Sequence, residues 1–164
     1  MVSEGDCALW LMSGGREQKF RYGDDFVMGG DWRHEKTNVN AAMVFVGFGV
    51  SAPELNYDDY AGIDVRGKVV VLLNGAPKTF PNDQRALYSW NQNKENNAAE
   101  KGAIGILQMR TPDDSIRANW PRVTRQNKLP GYRWLDKAGL PHDTHEQFVI
   151  GGVLNRKLVD ALFV

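Results

Sequence analysis

The chain of 164 residues holds one cysteine, Cys7, so no disulfide can form within it and no thiolate cage can bind a metal. Beside Ala8, Leu9 and Trp10, that thiol reads as a small core hydrophobe. Net charge is absent too. Twenty Lys and Arg balance twenty Asp and Glu, which argues against a general binder of nucleic acid or anionic membrane, since both need a positive surplus. No apolar run is long enough to span a bilayer, and the continuous run 69–73 has strand length. The start, Met1-Val2-Ser3-Glu4-Gly5-Asp6, lacks the basic and apolar stretches of a signal peptide, as expected of a cytoplasmic protein or a piece cut from a longer one.

Catalytic signatures are scarce. Ser13-Gly14-Gly15, Met28-Gly29-Gly30 and Gly151-Gly152 lack the Lys-Ser/Thr that a phosphate loop needs. No Gly-x-Ser-x-Gly elbow occurs, and Cys7 has no His near it in sequence. There are three histidines. His142-Asp143-Thr144-His145-Glu146 places two imidazoles three residues apart with a carboxylate between them, a spacing open to a divalent ion, but a polar loop after Pro141 is the simpler reading.

What is present is an ordinary globular composition, 42% hydrophobic and 24% charged, enough for one cored domain. Residues 7–12 and 16–22 read as strands around the turn Ser13-Gly14-Gly15, a hairpin. Between 23 and 40 only Phe26-Val27-Met28 suggests a strand. The apolar run 43–50 predicts another, with Gly47 and Gly49 marking a bulge, a corner or close backbone approach. The continuous run 69–73 implies a strand covered on both faces. Residues 89–101 predict a helix with Trp90, Asn97, Ala98 and Ala99 on one face and Gly102 as its left-handed cap. Strand 103–109 would complete a crossover to a parallel neighbour.

From 110 to 130 no regular element is evident, which suggests a functional or mobile loop. A strand over 148–154 follows, then a short helix capped by Asn155 with Leu158, Val159, Leu162 and Phe163 on one face. A chain ending at Val164, in or just past that helix, is expected of a fragment.

Several of these pieces, in order, carry a resemblance. Val44-Phe45-Val46-Gly47-Phe48-Gly49-Val50, Ala52-Pro53-Glu54, Tyr57-Asp58-Asp59-Tyr60, Gly62-Ile63-Asp64-Val65-Arg66-Gly67-Lys68-Val69-Val70-Val71-Leu72 and Asn97-Ala98-Ala99-Glu100-Lys101-Gly102-Ala103-Ile104-Gly105-Ile106 resemble the protease-associated domain. The likeness is to the version inserted in secreted zinc aminopeptidases of the transferrin-receptor and glutamate-carboxypeptidase superfamily. It is close over 41–110, looser over 145–164 and weak before residue 40.

The resemblance implies an α/β domain with a curved, partly barrel-like mixed sheet, a crossover helix and short flanking helices. Residues 41–164 would form it, with 1–40 as an N-terminal flank on the same domain. It implies a non-catalytic role over a peptidase active site, with zinc held by the parent's catalytic domain and not by this chain. The family's zinc site needs a His-x-Asp pair, and His34 is followed by Glu35-Lys36, so no ligand carries over. The implied partners are that catalytic domain and a peptide or protein substrate, in a secreted or periplasmic parent.

Two charged stretches are candidate contact surfaces. Glu54, Asp58, Asp59 and Asp64 give four negative charges with no base among residues 54–64. Their spacing does not fit a calcium loop, so turn-capping is the simpler role for them; a peptide amine is the functional alternative for Tyr57, Asp58, Asp59 and Tyr60. Residues 110–137 carry seven positive charges against three negative, with Trp120 and Trp134 among them. Arginine with tryptophan is the composition of binding surfaces, which nominates Arg117, Trp120, Arg122 and Arg125; a solvated loop with one tryptophan packed on the core is the competing reading. The rival to a peptidase accessory is a free-standing module binding a protein or glycan.

Overall fold

In the computed structural model the described residues are 7–29, 33–34, 36–117, 119–129, 132, 134–141 and 145–163, with the side chains of 115–117 excepted. Strands β1 (Ala8–Ser13) and β2 (Arg16–Arg21) form an antiparallel hairpin, as the Ser13-Gly14-Gly15 turn predicts. The central sheet has five strands in the order β3 (Phe26–Met28), β9 (Ile150–Leu154), β8 (Gly105–Met109), β7 (Val69–Leu73) and β4 (Met43–Phe45). Strands β4, β7, β8 and β9 are parallel, and β3 pairs antiparallel with β9. The mixed sheet, crossover helix and short flanking helices expected from the sequence are all present.

Burial on both faces explains the unbroken apolar run of β7. Val69 and Val71 join Phe20, Phe26, Leu107, Met109, Leu154 and Leu158 in one core cluster. Val70 and Leu72 face the other way, into a cluster with Val46, Tyr60, Val65, Ala98, Ala103 and Ile106. Hairpin and C-terminal helix α5 (Arg156–Leu162) thus cover one face; crossover helix α2 (Asn91–Glu100) covers the other. Cys7, partly buried, packs against the first cluster. Asn155 caps α5 by accepting from the Arg156 amide, a contact worth about 1 kcal/mol.

Four expectations need correction. The run 43–50 is not one strand: β4 ends at Phe45, and Gly47 and Gly49 take left-handed φ values of 54° and 68° in a tight turn. Beyond it Ser51–Ala52 (β5) pairs with Tyr57–Asp58 (β6) around a 3-10 turn at Pro53–Leu55. The predicted helix 89–101 begins at Asn91, and a separate helix α1 (Asn82–Tyr88) precedes it. Trp90 lies between the two, 69% exposed, so it does not share the buried face of Ala98 and Ala99. Finally, 110–130 is not a loop. It holds α3 (Pro112–Arg117) and α4 (Trp120–Asn127), the latter capped by the Asn119 side chain accepting from the Arg122 amide.

Candidate interaction surface

The acidic turn is built around one carboxylate. Asp59 Oδ2 accepts from the amides of Phe48 and Val50, both at 3.0 Å, and Oδ1 accepts from the Tyr57 hydroxyl at 2.7 Å. The Asp59 amide in turn donates to the Val50 carbonyl at 2.9 Å. Gly47 is required beside it, since a Cβ there would lie 2.9 Å from Asp59 Cγ and nearer still to Oδ1. The neighbours are engaged too. Asp58 accepts from the Tyr60 amide and pairs with Lys101 at 3.7 Å, Glu54 accepts from the Tyr88 hydroxyl at 2.6 Å, and Asp64 accepts from Arg66. Basic partners missing from residues 54–64 are therefore supplied by Arg66 to Asp64 and by Lys101, just past the end of α2, to Asp58.

These contacts fix the phenols in their neutral form. Burial, then the hydrogen bond to Asp59, pushes the Tyr57 pKa well above the usual phenol range. Burial and the Asp59 charge do the same for Tyr60, whose ring lies under Lys101 and whose hydroxyl is buried. The Tyr88 phenol, donating to Glu54, is pushed up to about 12. None of the four residues 57–60 offers a free carboxylate to a ligand amine in this arrangement.

Lys94 was not legible as a special residue among the asparagines of α2. Only 1% exposed, its Nζ donates to the Leu73 carbonyl at 2.8 Å and to that of Gly75, with the Phe48 ring 5.8 Å away. The signal was helical period: Lys94 is four residues before Ala98 and so on the same buried face. Removal from water lowers its ammonium pKa to about 8, against the pull of Asp59 and Asp114.

Helix α4 brings the nominated arginines and tryptophan together and divides them. Trp120 is partly buried, and its Nε1 donates to the Gly23 carbonyl at 2.7 Å. One stripe further along, Asn127 donates to the Tyr22 hydroxyl at 2.8 Å and the Met28 carbonyl at 3.0 Å, so the helix docks beside β3. Arg122 and Arg125 point the other way and are exposed. Their spacing of three residues stacks them on one outer face. Arg117 ends α3, and its side chain is outside the described set. The sequence reasoning missed Asn127, although its seven-residue spacing from Trp120 repeats the docking face.

Among the described residues, His145 and the arginines of one groove are engaged within the chain. His145 Nε2 lies 3.0 Å from Asn96 Oδ1, while His142 falls outside the described residues. Among the described residues no three His, Cys, Asp or Glu are grouped to hold a metal ion. At the carboxyl ends of β7 and β8 an open groove of about 400 Å³ is lined by Leu73, Met109, Arg110, Arg156 and Phe163, among others. Its guanidiniums are engaged: Arg110 donates to the Asp114 carbonyl and Arg156 pairs with Asp160 at 2.6 Å. A scan against protein-family models and a search of curated proteins found no match to this chain.

Proposed function

We propose that the chain is a non-catalytic protease-associated domain of a zinc aminopeptidase-like metallopeptidase, covering the active site and modulating which peptides reach it. One observation carries this reading: α4 is anchored by Trp120 and Asn127 so that Arg122 and Arg125 are held out in solvent as a preorganised basic edge. Paired guanidiniums on a fixed helix suit peptide carboxylates, which they bind bidentately. The residues that carry the family resemblance also supply β4, β7 and β8, three adjacent parallel strands of the central sheet, in support of the same reading. On this account the zinc and the base belong to the parent's catalytic domain, and the parent is secreted or periplasmic.

The test is kinetic. In the polypeptide that joins this chain to its peptidase domain, Arg122→Glu with Arg125→Glu should raise KM for long acidic peptides several-fold and leave a single-residue chromogenic substrate unchanged. Equal kinetics on both substrates would overturn the proposal. The second reading, a free-standing module for a protein or glycan, is favoured by Tyr132 and Trp134, which are 94% and 86% exposed. Reversible ligand binding by a chain with no peptidase domain in its reading frame would establish it.

A further inference from the structure

We propose that the groove at the carboxyl ends of β7 and β8 binds the free C-terminal carboxylate of a peptide whose last residue is apolar. Open α/β sheets take their ligands beyond the carboxyl ends of parallel strands, and this groove stands there. Leu73 and Met109, the final residues of the two strands, are register partners and both line it. The chain leaving β8 adds Arg110, and α5 with its C-terminal cap adds Arg156, Val159, Asp160 and Phe163.

The apolar part of this lining is Leu73, Met109, Val159 and Phe163. Phe163 is 58% exposed, yet its ring is held, because Phe45 packs edge-to-face against it with 5.4 Å between centroids. Covering that ring with a ligand's apolar side chain gains hydrophobic burial without first having to fix the ring. At about 400 Å³ the groove lies toward the small end of ligand pockets, which suits the end of a chain.

Charge identifies the occupant. Arg156 Nε donates to Asp160 Oδ1 at 2.6 Å, which orients the guanidinium, while its two terminal nitrogens have no acceptor among the described residues. That pair of nitrogens is the fork that a carboxylate binds bidentately. Arg110, fixed by donating to the Asp114 carbonyl, adds a second positive charge. Against these two the lining holds one carboxylate, Asp160; the Asp114 carboxylate nearby is taken up by Thr111 and Asn74. A surplus of one beside an apolar wall matches a monoanion with an apolar neighbour. A phosphoryl group is the weaker fit, since it brings up to about two charges and leaves the wall uncovered. A fatty acid is weaker too, because most of its alkyl chain would stay in water outside so open a groove.

The experiment uses the whole chain and a short fluorescent peptide ending in Leu-Phe, as the free acid and as the C-terminal amide, with octanoate and phenyl phosphate as competitors. The expected result is saturable binding of the acid, weakened about tenfold or more by amidation and by Arg156→Gln. Phe163→Ser should weaken acid and amide alike, since it removes the apolar contact they share. Arg16→Gln, at an exposed arginine outside the groove, should leave binding unchanged. Absence of binding, equal binding of acid and amide, indifference to Arg156→Gln, or tighter binding of octanoate or phenyl phosphate than of the peptide overturns the proposal. Arg156 and Phe163 are exposed, so these variants should keep the parent's melting temperature. Binding here needs no peptidase domain, so its failure would leave the kinetic test at Arg122 and Arg125 standing.

Discussion

Asp59 meets three donors with two oxygens, and the backbone around it is shaped to that demand. Removing the carboxylate by Asp59→Ala leaves the Phe48 and Val50 amides without their acceptor, a loss of about 2–3 kcal/mol. The glycines nearby separate two causes of strain. Gly47→Ala meets both a left-handed φ and the Asp59 carboxylate, so it should cost about 2 kcal/mol or more. Gly62→Ala has the same hand, φ 74°, with open space around it, and should cost only about 1 kcal/mol. Urea unfolding of the two variants checks this; equal losses would mean that the carboxylate yields freely. Gly47 and Gly49 were visible in the sequence as places of close approach. Their partners were not, because Asp59 lies twelve residues from Gly47 and Leu72 lies twenty-three from Gly49, beyond any local pattern.

At the scale of elements, α4 is a short amphipathic helix held by a few polar contacts. Asn127→Ala removes its bonds to Tyr22 and Met28, and Trp120→Phe removes the bond to Gly23 while keeping most of the ring. Each should cost about 1 kcal/mol and speed hydrogen exchange in 120–127 while leaving β7 and β8 protected. Exchange that rises equally in the central strands would show that α4 is coupled to the whole core. The strands of that core were legible because burial on both faces writes a continuous apolar run, and the hairpin because Gly14-Gly15 interrupts two runs. Helices α3 and α4 were hidden for the opposite reason. Their residues are mostly polar and each carries a proline, Pro112 and Pro121, which a helix admits only at its first turn, where both stand. Helix α1 escaped notice similarly, having no buried residue to give it a period. Trp120 was nominated for its chemistry, and the structure uses that chemistry to hold the helix, while Arg122 and Arg125 stay exposed.

For the molecule as a whole, Lys94 makes stability depend on alkaline pH in an unusual direction. An exposed lysine titrates alike in both states and contributes nothing; this one is buried, with a pKa near 8 against its ordinary 10.5. Below about pH 8 both folded and unfolded chains hold the proton, and the full cost of burying the ammonium is present. Between those two values the unfolded chain binds a proton that the folded chain has released, so stability rises with pH, by up to roughly 3 kcal/mol. The phenols act in the opposite sense. Tyr57, Tyr60 and Tyr88 have pKa values above the ordinary 10.0, so the stability they contribute is complete below that value and is lost as pH climbs past it. Denaturant unfolding should therefore show stability climbing from about pH 8 to pH 9.5, then falling above about pH 10. Lys94→Met removes the charge but strands the Leu73 and Gly75 carbonyls, so its net cost at neutral pH mixes two effects of opposite sign. Its slope does not mix them: the climb should vanish in Lys94→Met while the fall at higher pH persists. A wild-type profile already flat over that first interval would mean that the two carbonyls hold the ammonium as well as water does.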